Sequence, residues 1–124
     1  MNTNFIINIK FSYIGDKIVS VGENSIAYIE DVVGKNSFVG LASKDGSILH
    51  LSNSILTGIK QAGLMAYIKK DEYGPAEIIA KNLEFNSTDQ HTVVQKENKI
   101  SIDGIEILPT DLDVRKLYLS SDNL

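Results

Sequence analysis

The chain has 124 residues, of which 43% are hydrophobic and 23% charged, and it carries a formal net charge of -4 with no cysteine. This composition predicts a single folded domain over residues 1–124, because a chain of this length buries roughly two-thirds of its unfolded surface. The lack of cysteine excludes disulfide scaffolds, thiolate zinc sites, iron–sulfur clusters and thiol nucleophiles.

The first predicted elements are β-strands. Residues 5–13 alternate along the chain with the period of two that is typical of a half-buried strand. Gly15 and Asp16 indicate a turn, and Lys17–Val21 is predicted to return as the second strand of a hairpin. A third strand, over residues 25–33, has apolar side chains on both faces.

The next predicted elements are a hairpin and a helix. Strands over residues 38–43 and 47–51 flank Lys44, Asp45 and Gly46, which form a strong turn signal. After these strands the apolar spacing becomes helical, and Gly63 provides a stop signal. The sequence therefore predicts one short helix over residues 53–62, whose apolar positions are Ile55, Leu56, Ile59 and Ala62.

The second half of the sequence again predicts strands. They cover residues 64–70, 76–85 and 92–95, and a second hairpin is predicted around Asp103 and Gly104. Residues 111–119 fit a helix or a strand equally well. No internal repeat or linker is visible. The predicted fold class is mainly β, with an antiparallel sheet or an OB-like barrel, one short central helix and a C-terminal hairpin extension.

Residues 50–86 resemble the closing part of bacterial OB-fold single-stranded-DNA-binding proteins. The resemblance rests on the order of a short helix and two strands, and on the pattern of apolar, polar and charged residues in the segments LMAYIKK and PAEIIAKNLEF. It implies an OB-like core over residues 1–86, with the predicted helix as the plug of the barrel. Residues 87–124 are then a hairpin and a mildly acidic segment, and the implied function is single-stranded nucleic-acid binding.

The candidate binding residues are aromatic and basic side chains in and around the predicted strand over residues 64–70. Single-strand binding needs aromatic faces for stacking beside a basic track for phosphates. The residues that fit are Tyr67, Lys69, Lys70 and Tyr73, with Lys60 and Lys81 as neighbours. Half-buried tyrosines and a solvated lysine rim are the alternative interpretation. Arg115, the one arginine, is the candidate anion-binding residue.

Other kinds of site lack support in the sequence. His50 and His91 have no ligand partner at metal-site spacing, and there is no nucleophile elbow or glycine-rich phosphate loop. We therefore predict no catalytic residue, metal or cofactor. The N-terminus lacks the pattern of a signal peptide, and no stretch approaches the roughly 20 apolar residues of a membrane span. A cytoplasmic protein is expected.

The sequence favours a non-enzymatic binding module, and single-stranded nucleic acid is its first candidate ligand. The excess of acidic residues lies in the second half of the chain, beside the lysine and tyrosine track, and this weakens that candidate. The alternative is a small phage or mobile-element accessory protein that oligomerises and binds a protein partner or sequesters a small ligand. A homo-oligomer is expected because residues 25–33 are apolar on both faces.

Overall fold

The computed structural model describes residues 4–8, 12–13 and 17–109, and these residues are built from β-strands joined by turns. The predicted mainly β character is confirmed. In chain order the strands are β1 (Asn4–Asn8), β2 (Ser12–Tyr13), β3 (Lys17–Val21), β4 (Ile26–Glu30), β5 (Val33–Lys35), β6 (Val39–Lys44), β7 (Ile48–Thr57), β8 (Ala62–Tyr67), β9 (Glu77–Asn86), β10 (Thr92–Val94), β11 (Lys99–Ile102) and β12 (Ile105–Glu106).

The strands stack in parallel at a nearly constant sequence interval. Asn4 of β1 pairs with Ile26 of β4, and Ile26 pairs with Ile48 of β7, so the first two coils are equal in length. The next interval, from Ile48 to Glu77 of β9, is longer because this coil contains the inserted loop 68–75. From Glu77 to Lys99 of β11 the interval returns to its first length. This register is that of a parallel β-solenoid, in which each coil contacts its neighbours.

Each complete coil has three strand segments, which lie on three faces. Coil 1 contains β1 to β3, coil 2 contains β4 to β6, coil 3 contains β7 and β8, coil 4 contains β9 and β10, and coil 5 begins with β11. The strands β7 and β9 are long because each continues through the first and second segments of its coil. The third segments β3, β6, β8 and β10 form a separate sheet.

Residues with a left-handed backbone turn the chain between segments. At the corner after the first segment, Asp31, Asn53 and Asn82 have φ values of 61°, 53° and 55°. The Nδ2 of Asn82 donates to the Oδ1 of Asn53 at 2.7 Å, which links successive coils. At the next corner Asn36 and Gly58 have φ values of 55° and 66°. Asn, Asp and Gly tolerate positive φ, so these residue types encode the corners.

The core is made of side chains from equivalent positions in successive coils. Ala27, Leu49, Ile78 and Ile100 share one register position, and each is 0% exposed. A second row lies two residues further along the same strands and consists of Ile29, Leu51 and Ala80. A smaller separate cluster is centred on β6 and β8, and its members are Val39, Ala42, Ala62, Met65, Tyr67 and Val93.

The predicted antiparallel sheet or closed OB-like barrel is wrong. Lys17–Val21 does not return beside the first strand as a hairpin, because β1 pairs with β4 and β3 with β6, one coil away in each case. The turn at Asp45 and Gly46 leads to the next face, and β6 pairs with β3 and β8. These turns redirect the chain to a new face instead of reversing it, so sequence neighbours are not sheet neighbours.

The predicted helix over residues 53–62 is also wrong. Residues 53–57 belong to β7, and β8 begins at Ala62. Asn53 and Gly58 have positive φ, which a right-handed helix does not accommodate. Leu56 and Ile59 are buried on either side of the corner at Gly58, and this arrangement reproduces a helical spacing of apolar residues.

The second predicted hairpin is confirmed. β11 and β12 pair antiparallel around Asp103 and Gly104, with Ser101 opposite Glu106. The coil repeat, which is not visible in the sequence, continues through β10 and β11, so both sheets extend past residue 86. Residues 111–119, for which helix and strand were both open, lie outside the described residues.

Candidate functional site

The structure places the predicted nucleic-acid-binding residues in different parts of the molecule. Tyr67 ends β8 and is 1% exposed, so a base cannot stack on its ring in this conformation. Lys69, Lys70 and Tyr73 lie together in loop 68–75, where both lysines are exposed and the tyrosine is half-buried. The predicted track of alternating tyrosine and lysine is therefore reduced to this loop.

The remaining candidates lie elsewhere. Lys60 is exposed and precedes β8, at the opposite end of that strand from loop 68–75. Lys81 is exposed near the middle of β9 on another face. Arg115 lies outside the described residues. Nucleic-acid binding stays a prediction, with Lys69, Lys70 and Tyr73 as the residues that remain close in space.

Loop 68–75 is fixed to the solenoid by a buried carboxylate. The Oδ1 of Asp45, which is 1% exposed, accepts hydrogen bonds from the backbone N–H groups of Lys69 at 2.7 Å and Lys70 at 2.8 Å. The ammonium of Lys70 also pairs with Glu23, and this hydrogen bond lowers the pKa of Glu23 and raises the pKa of Lys70. Burial, followed by the nearby Lys17, lowers the pKa of Lys44. The pairing of Lys70 with Glu23 reduces the positive field of the loop.

Replacing Asp45 with alanine is expected to lower the free energy of unfolding by about 2 kcal/mol, because two charge-assisted hydrogen bonds are lost. Asp45 also has a φ of 54°, which alanine tolerates less well than aspartate. The matched control is Asp45→Asn, which keeps the accepting oxygen and the tolerance of positive φ. Urea denaturation should rank wild type, Asp45→Asn and Asp45→Ala in falling stability. Equal losses in the two variants would contradict an anchoring role for the oxygen.

A groove with a volume of about 680 Å³ lies on the outer surface of the first strand segments, which we call the first face. One wall is a row of side chains at a single register position, Tyr28, His50 and Ile79, which we call the apolar row. The other wall lies two residues further along the strands. We call it the charged row, and its members are Glu30, Ser52, Lys81 and Asp103.

The regular backbone sets the dimensions of the groove. Neighbouring coils are about 4.8 Å apart, and positions two residues apart along a strand are separated by about 6.7 Å. The groove therefore runs across the strands, parallel to the solenoid axis. Its floor is formed by backbone between the rows, at Ile29, Leu51 and Ala80, whose side chains point into the core. Its walls can contact an elongated ligand or a flat protein surface.

The apolar row is partly open to solvent. Tyr28 is 45% exposed and Ile79 is 38% exposed. The rings of Tyr28 and His50 stack on each other, with centroids 4.5 Å apart and planes 6° from parallel. Each ring therefore covers one face of the other.

The charged row has an uneven order of charges along the solenoid axis. Glu30 is negative, Ser52 in the next coil is neutral, Lys81 is positive and Asp103 is negative. The Oδ1 of Asp103 accepts a hydrogen bond from the backbone N–H of Asn82 at 2.9 Å, which holds this carboxylate at the end of the row. The order of charges gives the groove a polarity that a partner must match.

Of the predicted site residues that the structure describes, Lys81 alone lines the groove, and sequence reasoning missed the other lining residues. Tyr28, His50 and Ile79 are each a full coil apart along the chain, and nothing in local periodicity links them. The available signal was the recurrence of an Asp or Asn two residues after an apolar residue, at Asp31, Asn53 and Asn82. Aligning those corners brings the groove residues into register.

Other kinds of site are not found around the groove. The second histidine, His91, lies outside it and stacks on Phe85 with ring centroids 4.3 Å apart. Within the described residues no group of three or more histidine or acidic side chains is arranged to hold a metal ion. The same part of the chain contains no helix of the length and apolar character that crossing a membrane requires.

Comparison with known proteins supplies no family for this solenoid. No family model matches the sequence, and no curated protein or solved structure is detectably similar to it.

Proposed function

We propose that the chain is a non-enzymatic binding module that docks a protein partner on its first face. The observation that carries this proposal is the groove in which an exposed apolar row runs beside a row of ordered charges. Exposed apolar patches bordered by polar residues mark protein interaction sites, and tyrosine is enriched at the centre of such interfaces. A cytoplasmic location belongs to the same proposal.

The chemistry of the groove limits the partner. The partner must offer apolar side chains opposite Tyr28 and Ile79. It must also place a basic group opposite Glu30 and an acidic group opposite Lys81, because like charges across an interface are costly. Protein surfaces supply such mixed patterns. A nucleic acid carries negative charge throughout and would meet two carboxylates in the charged row.

A photo-crosslinker placed in the groove tests this function. Because the chain has no cysteine, Ser52→Cys provides one attachment point for benzophenone maleimide in the middle of the charged row. Glu84→Cys is the matched control, at an exposed position in the second strand segment of coil 4. After irradiation in an extract of the cells that make the protein, we expect discrete polypeptide adducts from position 52 only.

Competition makes the result specific. Unlabelled wild-type protein should abolish the adducts with any other polypeptide, whereas unlabelled Tyr28→Asp protein should not, because its apolar row is interrupted by a charge. Adducts that form equally from position 84, or adducts with another polypeptide that resist the wild-type competitor, would refute docking on the first face. Adducts absent from both positions would refute it as well. An adduct of twice the mass of one chain joins two copies, and added wild-type protein does not remove it.

A further inference from the structure

We propose that the partner of the first face is a second copy of this chain, bound face to face about a two-fold axis that is parallel to the strands and passes over residues 48–52. This inference rests on the proposed function, since it names the partner of the same groove. In such a dimer, coil 2 of one protomer lies opposite coil 4 of the other, and coil 3 lies opposite itself. Packed sheets of this kind are about 10 Å apart.

The charged row is complementary to itself in this arrangement. Glu30 belongs to coil 2, Ser52 to coil 3 and Lys81 to coil 4, all at one register position. The two-fold axis over coil 3 therefore places each Glu30 opposite a Lys81 of the other copy, and it does so twice. Ser52, which is neutral, falls on the axis and faces its own copy, where any charge would repel itself.

The apolar row fits the same axis. Tyr28 in coil 2 lies opposite Ile79 of the other copy, and the two His50 rings meet near the axis. The most exposed side chains of the row, at 45% and 38%, are then covered by each other. An isologous interface requires this kind of reciprocity, in which residue i contacts j and j contacts i.

Other two-fold axes do not give this match. An axis over coil 2 places Glu30 opposite itself, and an axis over coil 4 places Lys81 opposite itself. An axis between coils 3 and 4 places Glu30 opposite Asp103 and leaves Lys81 opposite Ser52. An axis over the groove and parallel to the solenoid sets the charged row against the apolar row, which leaves both charges without a partner. An axis between coils 4 and 5 places each Lys81 opposite Asp103, but it leaves Glu30, Tyr28 and His50 with no described residue opposite them. Among these axes, only the one over coil 3 pairs both Glu30 and Lys81 and covers the whole apolar row.

A charge-swap experiment tests the dimer. Light scattering should give wild type a mass of twice the 13.6 kDa of one chain at high micromolar concentration. Glu30→Lys and Lys81→Glu should each raise the dissociation constant at least about tenfold, because each substitution acts twice in the dimer. The double variant Glu30→Lys/Lys81→Glu should restore most of the affinity, since the opposite charges face each other again.

Controls separate this effect from a change in fold or total charge. Glu84→Lys and Lys60→Glu make the same charge changes at exposed positions outside the first face, and they should leave the dissociation constant unchanged. All variants should keep the circular dichroism spectrum of wild type. A wild type that stays monomeric, or a double variant no tighter than the single ones, would overturn the dimer.

The photo-crosslinking result keeps the two proposals distinguishable. If purified Ser52→Cys protein carrying the benzophenone fails to crosslink to itself but still forms competed adducts in the extract, the second copy is wrong and the docking face stands. If it forms neither kind of adduct, both proposals fail. Self-adducts from position 52, together with a double variant whose dissociation constant returns towards the wild-type value, support both proposals.

Discussion

Replacing Leu49 with alanine is expected to lower the free energy of unfolding by about 3–4 kcal/mol. Leu49 is 0% exposed and occupies the central position of the inward row that contains Ala27, Ile78 and Ile100. Its neighbour in coil 2 is the small Ala27, whose side chain cannot fill the space that is left. The cost is therefore the lost burial together with the energy of a cavity that does not collapse.

The matched control is Ile55→Ala, because Ile55 lies in the same strand and is 39% exposed. This variant should lose less than about 1 kcal/mol, since much of the side chain is already in water. Urea denaturation followed by circular dichroism measures both values. Similar losses at the two positions would show that the inward row does not form the core as described.

Replacing Gly40 with alanine is expected to cost about 3 kcal/mol of unfolding free energy, because the added methyl group collides with the next coil. A Cβ at Gly40 would lie 2.2 Å from the carbonyl oxygen of Gly63 and 3.1 Å from Cδ1 of Leu56. The closest atom is backbone within the β6–β8 pairing, so it cannot move without disturbing the sheet.

Gly74→Ala is the control for Gly40→Ala. Gly74 lies in loop 68–75, and a Cβ there meets nothing within 4 Å. The control should be neutral or slightly stabilising, because alanine has fewer unfolded conformations than glycine. Thermal unfolding of the two variants side by side gives the comparison. A Gly40→Ala protein as stable as the control would contradict the close approach of coils 2 and 3.

Most of the strands and the local pairing of β11 with β12 could be predicted from the sequence, whereas the parallel pairing between coils could not. The alternation of apolar residues is local, so β4, β6 and β9 are predicted close to their true positions. Pairing depends on a repeat in which one inward position holds Ala27, Leu49 and Ile78, which share only an apolar character. The inserted loop 68–75 also lengthens one interval of the repeat. Identical residues at equivalent positions, such as Ile26 and Ile48, are too few to make the repeat visible in the sequence.

The candidate site, like the fold, could be predicted only in part from the sequence. Lys81 was predicted from its charge, but its role depends on Glu30 and Ser52, which reach the same row only through the parallel register. Tyr67 was predicted to be available for stacking, yet it is buried in the cluster with Met65. Local patterns identify side chains with suitable chemistry, and the register decides which of them meet.

The antiparallel hairpin at the last described coil has a consequence for assembly along the solenoid axis. A stack of parallel strands with an open end is a template for fibril growth, since each exposed edge recruits another strand. Here β12 occupies the outer edge of β11, and Ile107 donates its backbone N–H to Ile100 at 2.8 Å. The new edge is two residues long and carries Glu106. Among the described residues, end-to-end pairing of copies through the edge of β11 is thereby opposed, and the sideways two-fold contact proposed above does not use this edge.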